Sequence, residues 1–157
     1  MKTLTREVFE KSIAKINDLV PYNDDAKQAV VYGVMLDENN DIQFEQVKSA
    51  GDVYDLLQSL GTEAYKLKEY DIFTLATCGW AAPIDDANEL DKYKDTAPSQ
   101  HPQKRRVRLL CSGTINDQIG SSIVFSDDIE NPMFDYGVAS GPLNEALISL
   151  INSVKTQ

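Results

Sequence analysis

Residues 99–110, SQHPQKRRVRLL, hold the chain's single histidine and three of its four arginines. Two chemistries follow from those residue types. His101 within hydrogen-bond reach of a thiol or a carboxylate would make a nucleophile–base pair, and Cys78 or an aspartate would be its partner on an anionic substrate. Alternatively, Lys104, Arg105, Arg106 and Arg108 would gather at an anion. Guanidinium forks match phosphate and carboxylate bidentately, which ammonium groups do less well. The plain reading of Cys78 and His101 is a strand thiol and a surface imidazole before a proline, so no catalytic residue is assigned. The plain reading of the arginines is pairing with the chain's many acids, or cover for an exposed sheet face with their stems.

Trp80, in CGWAAP (residues 78–83), stands at the exit of an apolar stretch and at the start of a long irregular segment. Such an indole plugs a core or offers a flat face to a base, an arginine or a partner side chain. If the strands on either side of that segment are neighbours, Trp80, His101, Lys104, Arg105, Arg106 and Arg108 converge on one binding rim. Loops held by a rigid sheet are where binding commonly resides.

Other constellations carry less. Asp24–Asp25, Asp85–Asp86 and Asp127–Asp128 lie in polar stretches, where solvated charge explains them and no raised pKa is called for. One histidine and two cysteines, Cys78 and Cys111, without a Cys-x-x-Cys pair, are too few for a structural zinc site, so no metal and no cofactor are expected. DENND (residues 37–41) lacks the glycine and terminal glutamate of a calcium loop. Gly113 and Gly120 flank a hairpin and precede no helix, so they form no phosphate loop.

The elements that must position these residues are legible from periodicity. A helix is expected from about Thr5 to Leu19, with Phe9, Ile13, Ile16 and Val20 on one stripe and Pro21 beyond. AVVYGVML (29–36) suits a central strand, and IQFEQV (42–47) a half-exposed partner across the DENND turn. Asp52 caps a second helix whose stripe is Val53, Leu56, Leu57 and Leu60. DIFTLATC (71–78) is a third strand, and residues 79–104 an irregular loop. A second hairpin turns at residues 116–117, with Val107, Leu109 and Cys111 on the core face of its first strand. Residues 127–140 read as an acidic loop. Pro142 opens a final helix carrying Leu143, Leu147, Leu150, Ile151 and Val154 on one face.

The order αββαβββα predicts a single α+β domain over 1–157, a mostly antiparallel five-stranded sheet with three helices. In element order alone this layout resembles the roadblock and longin group of scaffold domains and, more loosely, profilin and PAS modules. No motif of those families is matched, so no functional residue is carried over.

The net charge of −10 opposes adhesion to nucleic acid or anionic membranes. No apolar run is long enough to span a bilayer, and the charged amino terminus is unlike a signal peptide, so a cytoplasmic protein is expected. Three functions compete. The first is a non-enzymatic binding or regulatory module for an anionic small molecule or an acidic patch on a protein partner. The second is a small hydrolase or transferase using His101. The third is an acidic inhibitor that mimics nucleic acid. A homodimer and a phage origin are both compatible with a small acidic domain. The first reading is preferred, because a nucleophile–base signature is lacking while the loop has an anion-binding composition.

Overall fold

The computed structural model of the chain describes residues 4–20, 29–81, 100, 102, 104–136 and 142–157, with backbone alone at Trp80, Ala81 and Pro142. Helix α1 (Arg6–Leu19) is capped by Thr5, whose hydroxyl accepts the Val8 N–H. Strands β1 (Ala29–Leu36) and β2 (Ile42–Ala50) follow as a hairpin. Asn40 in its turn has a φ of 63°, the left-handed region that asparagine tolerates. Asp52 caps α2 (Val53–Thr62) by accepting from the N–H groups of Tyr54 and Asp55. A 3-10 turn (Ala64–Lys66) leads to β3 (Ile72–Ala81), β4 (Arg105–Thr114), β5 (Ile119–Phe125), β6 (Asp128–Tyr136) and α3 (Pro142–Lys155).

The six strands form one antiparallel sheet in the order β2-β1-β3-β4-β5-β6. Two differences from expectation matter. The sheet has six strands rather than five, because part of the stretch read as an acidic loop pairs with β5 as an edge strand. An edge tolerates Pro132 and a run of acids that a central strand would reject. In addition, β3 runs through Gly79, Trp80 and Ala81, so those residues belong to the sheet and not to the loop. No helix among the described residues is long and apolar enough to cross a membrane.

The strand period of two sends alternate residues to two separate cores. On one face Val31, Phe73, Leu75 and Cys111 pack under α2 and α3, with Leu56, Leu60, Leu147 and Ile151. On the other, Val34, Ile72, Ala76 and Leu110 meet Phe9, Ile13, Ile16 and Val20 of α1. Burying a leucine or phenylalanine side chain in such layers is worth about 1.5–3 kcal/mol. Helix α1 lies close to the sheet at Gly120, where an added Cβ would strike Ile13 Cδ1 and stand 3.2 Å from the Tyr136 ring. Asp71 ties strand ends together: its Oδ2 accepts the Leu36 N–H at 2.8 Å, and its carbonyl accepts the Ile115 N–H at 3.3 Å.

Candidate functional site

Strands β3 and β4 are neighbours, and their register sets Trp80 opposite Arg106, Ala81 opposite Arg105 and Cys78 opposite Arg108. The sheet therefore brings Trp80 and the basic run to one end. His101 lies outside the described residues, as do the pairs Asp24–Asp25 and Asp85–Asp86.

The arginines at that end differ sharply in what they do. Arg108 is only 4% exposed. Its guanidinium donates to the Val20 carbonyl and the Asn17 side-chain oxygen, so it holds the C-terminal end of α1, where the helix dipole favours a cation. Ser122 Oγ donates to the same Asn17 oxygen at 3.2 Å, which fixes the amide from the sheet side. Arg108 does not belong to an open rim.

Arg105 points to the opposite face, forming a two-pronged pair with Asp127 in which Nε stands 3.1 Å from Oδ2. Its Cζ lies 3.8 Å from the centroid of the Phe125 ring. The Arg105 hydrogen bond holds the Asp127 carboxyl below the usual carboxylate range and raises the guanidinium in turn. Both groups face solvent, so the pair is screened and contributes little to stability.

Arg106 is half-buried, its carbonyl accepting the Ser126 N–H at 2.9 Å, and Lys104 is exposed.

The two thiols lie in different settings. Burial pushes Cys111 up to about 11, leaving it protonated and inert near neutral pH. Cys78 is half-buried in β3. No group of three or more His, Cys, Asp or Glu side chains among the described residues is placed to hold a metal ion.

A surface that the sequence did not mark lies at the β6 edge. Ile129 is 51% exposed, Met133 59% and Phe134 38%, three large apolar side chains on one strand. Asp128, Glu130 and Asp135 are interspersed with them, and all three are exposed. The ladder to β5 pairs Ile123 with Met133 and Phe125 with Asp128, so Val124 alone faces residues 129–132. That bulge, Pro132 and the acids blunt the edge against indiscriminate strand pairing. Residues 133–136 keep a regular ladder.

Beside them, on the α1 face, is a cleft of about 370 Å³ between α1, the β4–β5 turn and the end of β6. Phe9, Ile119 and Tyr136 contribute apolar walls, while Arg6, Glu10, Asp117 and Gln118 supply polar ones. Arg6 Nε pairs with Glu10 at 2.9 Å, and Lys155 with Asp117 at 2.8 Å. The Tyr136 hydroxyl is raised above its ordinary value, first by burial and then by the charge of Glu10. Its ring lies parallel to that of Phe134, with an interplanar angle of 2° and centroids 6.1 Å apart. A second groove, about 380 Å³, runs between α2 and α3 beside Tyr54 and Ser153 and carries no charged group.

The signal for the β6 surface was present in part. Ile129, Phe134 and Tyr136 are strand-forming residue types inside an acidic run, a composition that fits an exposed edge as well as a loop.

No protein-family model matches the chain, and no curated protein and no solved structure matches it.

Proposed function

We propose that the protein is a non-enzymatic binding module whose protein partner docks along β6 and the adjoining flank of α1. The observation that carries this reading is the stacking of exposed Phe134 on Tyr136 on the α1 face of an edge strand, at the mouth of the cleft, with Ile129 exposed farther along that edge and Met133 exposed on the opposite face. Isolated apolar side chains on a surface need no explanation, whereas stacked aromatic rings beside a cleft on an edge strand suit an interaction site. The blunted upper part of β6 favours contact through side chains over open-ended strand addition. A layered domain with two separate cores gives such a surface a rigid base. A test is affinity capture of the protein from its native host with Met133→Ser and Phe134→Ser combined. Loss of the co-purifying partner with an unchanged melting temperature supports the reading. Retention of the partner, with loss on Tyr54→Ser instead, contradicts it.

A second reading, recognition of an anion or acidic patch at Lys104 and Arg106, is favoured by the register that sets Trp80 opposite Arg106. Titration with inorganic phosphate, followed through backbone amides of residues 104–107, tests it. Shifts that vanish in Arg106→Ala support this reading, and the absence of shifts removes it.

A further inference from the structure

We infer that the partner of the β6 surface presents a basic, apolar stretch of polypeptide, with a lysine or arginine side chain entering the α1–β6 cleft and an apolar neighbour covering Phe134. The inference rests on the reading of β6 as the contact surface and adds the chemistry of what docks there.

Charge argues first. Strand β6 carries Asp128, Glu130 and Asp135 and no lysine or arginine, within a chain of net charge −10. None of the three is in an ion pair among the described residues; Asp128 accepts a hydrogen bond from Asn131 at 2.7 Å and lies within the field of Arg105, while Glu130 and Asp135 are exposed. Their field attracts a cationic segment and repels an acidic one. The same three charges disfavour a second copy of this chain, because edge-to-edge pairing would set acids against acids.

The cleft argues independently. A lysine or arginine side chain is a long apolar stem with a charged head, and it needs walls of both kinds. Phe9, Ile119 and Tyr136 offer the apolar surface, while Glu10, paired with Arg6, and Asp117, paired with Lys155, offer carboxylates that a second cation can share. The Arg6–Glu10 pair is solvent-exposed on the arginine side, which is 72% accessible, so an incoming cation exchanges with or joins it at small cost. The parallel rings of Phe134 and Tyr136 add π faces on which a guanidinium can rest.

The test uses the full chain, labelled with nitrogen-15, and two short synthetic peptides, one alternating arginine with valine and one alternating glutamate with valine. The arginine peptide shifts the amides of residues 133–136 and 6–10, and its affinity falls about fivefold or more as salt rises from about 50 to about 300 mM. Glu10→Gln, checked as folded by its own spectrum, weakens that binding several-fold. If the glutamate peptide shifts the same amides as strongly, the basic chemistry is overturned and the surface stands. If shifts fall only elsewhere, as in the α2–α3 groove, or neither peptide binds, both the chemistry and the surface are overturned.

Discussion

The guanidinium of Arg108 in β4 donates to the carbonyl oxygen of Val20, joining the end of α1 to the middle of the sheet across 88 residues of sequence. A residue from the most basic stretch of the chain is thereby a structural bolt.

Its replacement tests this directly. Arg108→Ala leaves the Val20 carbonyl without its side-chain donor and the Asn17 oxygen with Ser122 alone, and costs about 2–3 kcal/mol. For a domain of this size that lowers the melting temperature by roughly 4–12 °C. Arg106→Ala, at a half-buried position two residues away, costs less than Arg108→Ala. Thermal unfolding of the two variants side by side checks the contrast, and equal effects would remove the structural role of Arg108.

The Arg105–Asp127 pair has a pH signature. Because Arg105 lowers the folded-state pKa of Asp127, the pair's contribution is present above the unfolded carboxyl value near 3.9 and is lost as pH falls through the lower folded value. Asp127→Asn therefore lowers the melting temperature slightly at neutral pH and low salt. The difference closes in acid or at about 1 M salt. A gap that persists unchanged under both conditions would show that the pair acts through something other than charge.

Burial of Cys111 gives an alkaline signature with the opposite sign. Its folded value of about 11 lies above the unfolded value near 8.5, so its stabilising contribution is complete below about pH 8.5 and is lost as pH rises through about 11. Tyr70, which donates to Glu45, has its hydroxyl raised by burial first and by Glu45 next, and adds to the same alkaline loss. In thiol alkylation at about pH 8, native Cys78 reacts before Cys111, and denaturant removes the difference. Faster labelling of native Cys111 would contradict the burial account.

Gly120 sets the distance between α1 and the sheet. Gly120→Ala drives a methyl group against Ile13 and Tyr136 and costs about 1–3 kcal/mol, with part of the loss recovered in combination with Ile13→Val. Denaturant unfolding of the single and double variants measures this coupling. Simple additivity of the two substitutions would mean that the contact is not tight.

Much of the framework was legible because it is locally encoded. Thr5 and Asp52 mark helix starts through their own side-chain chemistry, Pro142 does so through its ring, and residues 29–36 form an apolar run that suits only a buried strand. What was not legible is held by partners distant in sequence. Residues 79–81 belong to β3 because β4 pairs with them. Strand β6 exists because β5 offers it a ladder, despite Asn131 and Pro132. The strand period correctly separated Arg106 and Arg108 from Arg105, yet nothing local shows that α1 ends above Arg108. The basic cluster was visible as composition, but its division into a buried bolt and a surface ion pair needs the packing of α1 and the β5–β6 turn. The apolar edge was masked by its own acids, which make an exposed strand read as a loop.

The central claim, that β6 is the contact surface, is tested most directly by photo-crosslinking of the full chain in its native host. A photoreactive phenylalanine analogue is placed at Phe134 in one protein and at Tyr54, beside the α2–α3 groove, in another. The account predicts a discrete protein adduct from position 134 that is sharply reduced by Asp135→Lys, and none from position 54. An adduct from position 54 alone, or a yield at position 134 indifferent to Asp135→Lys, would contradict it.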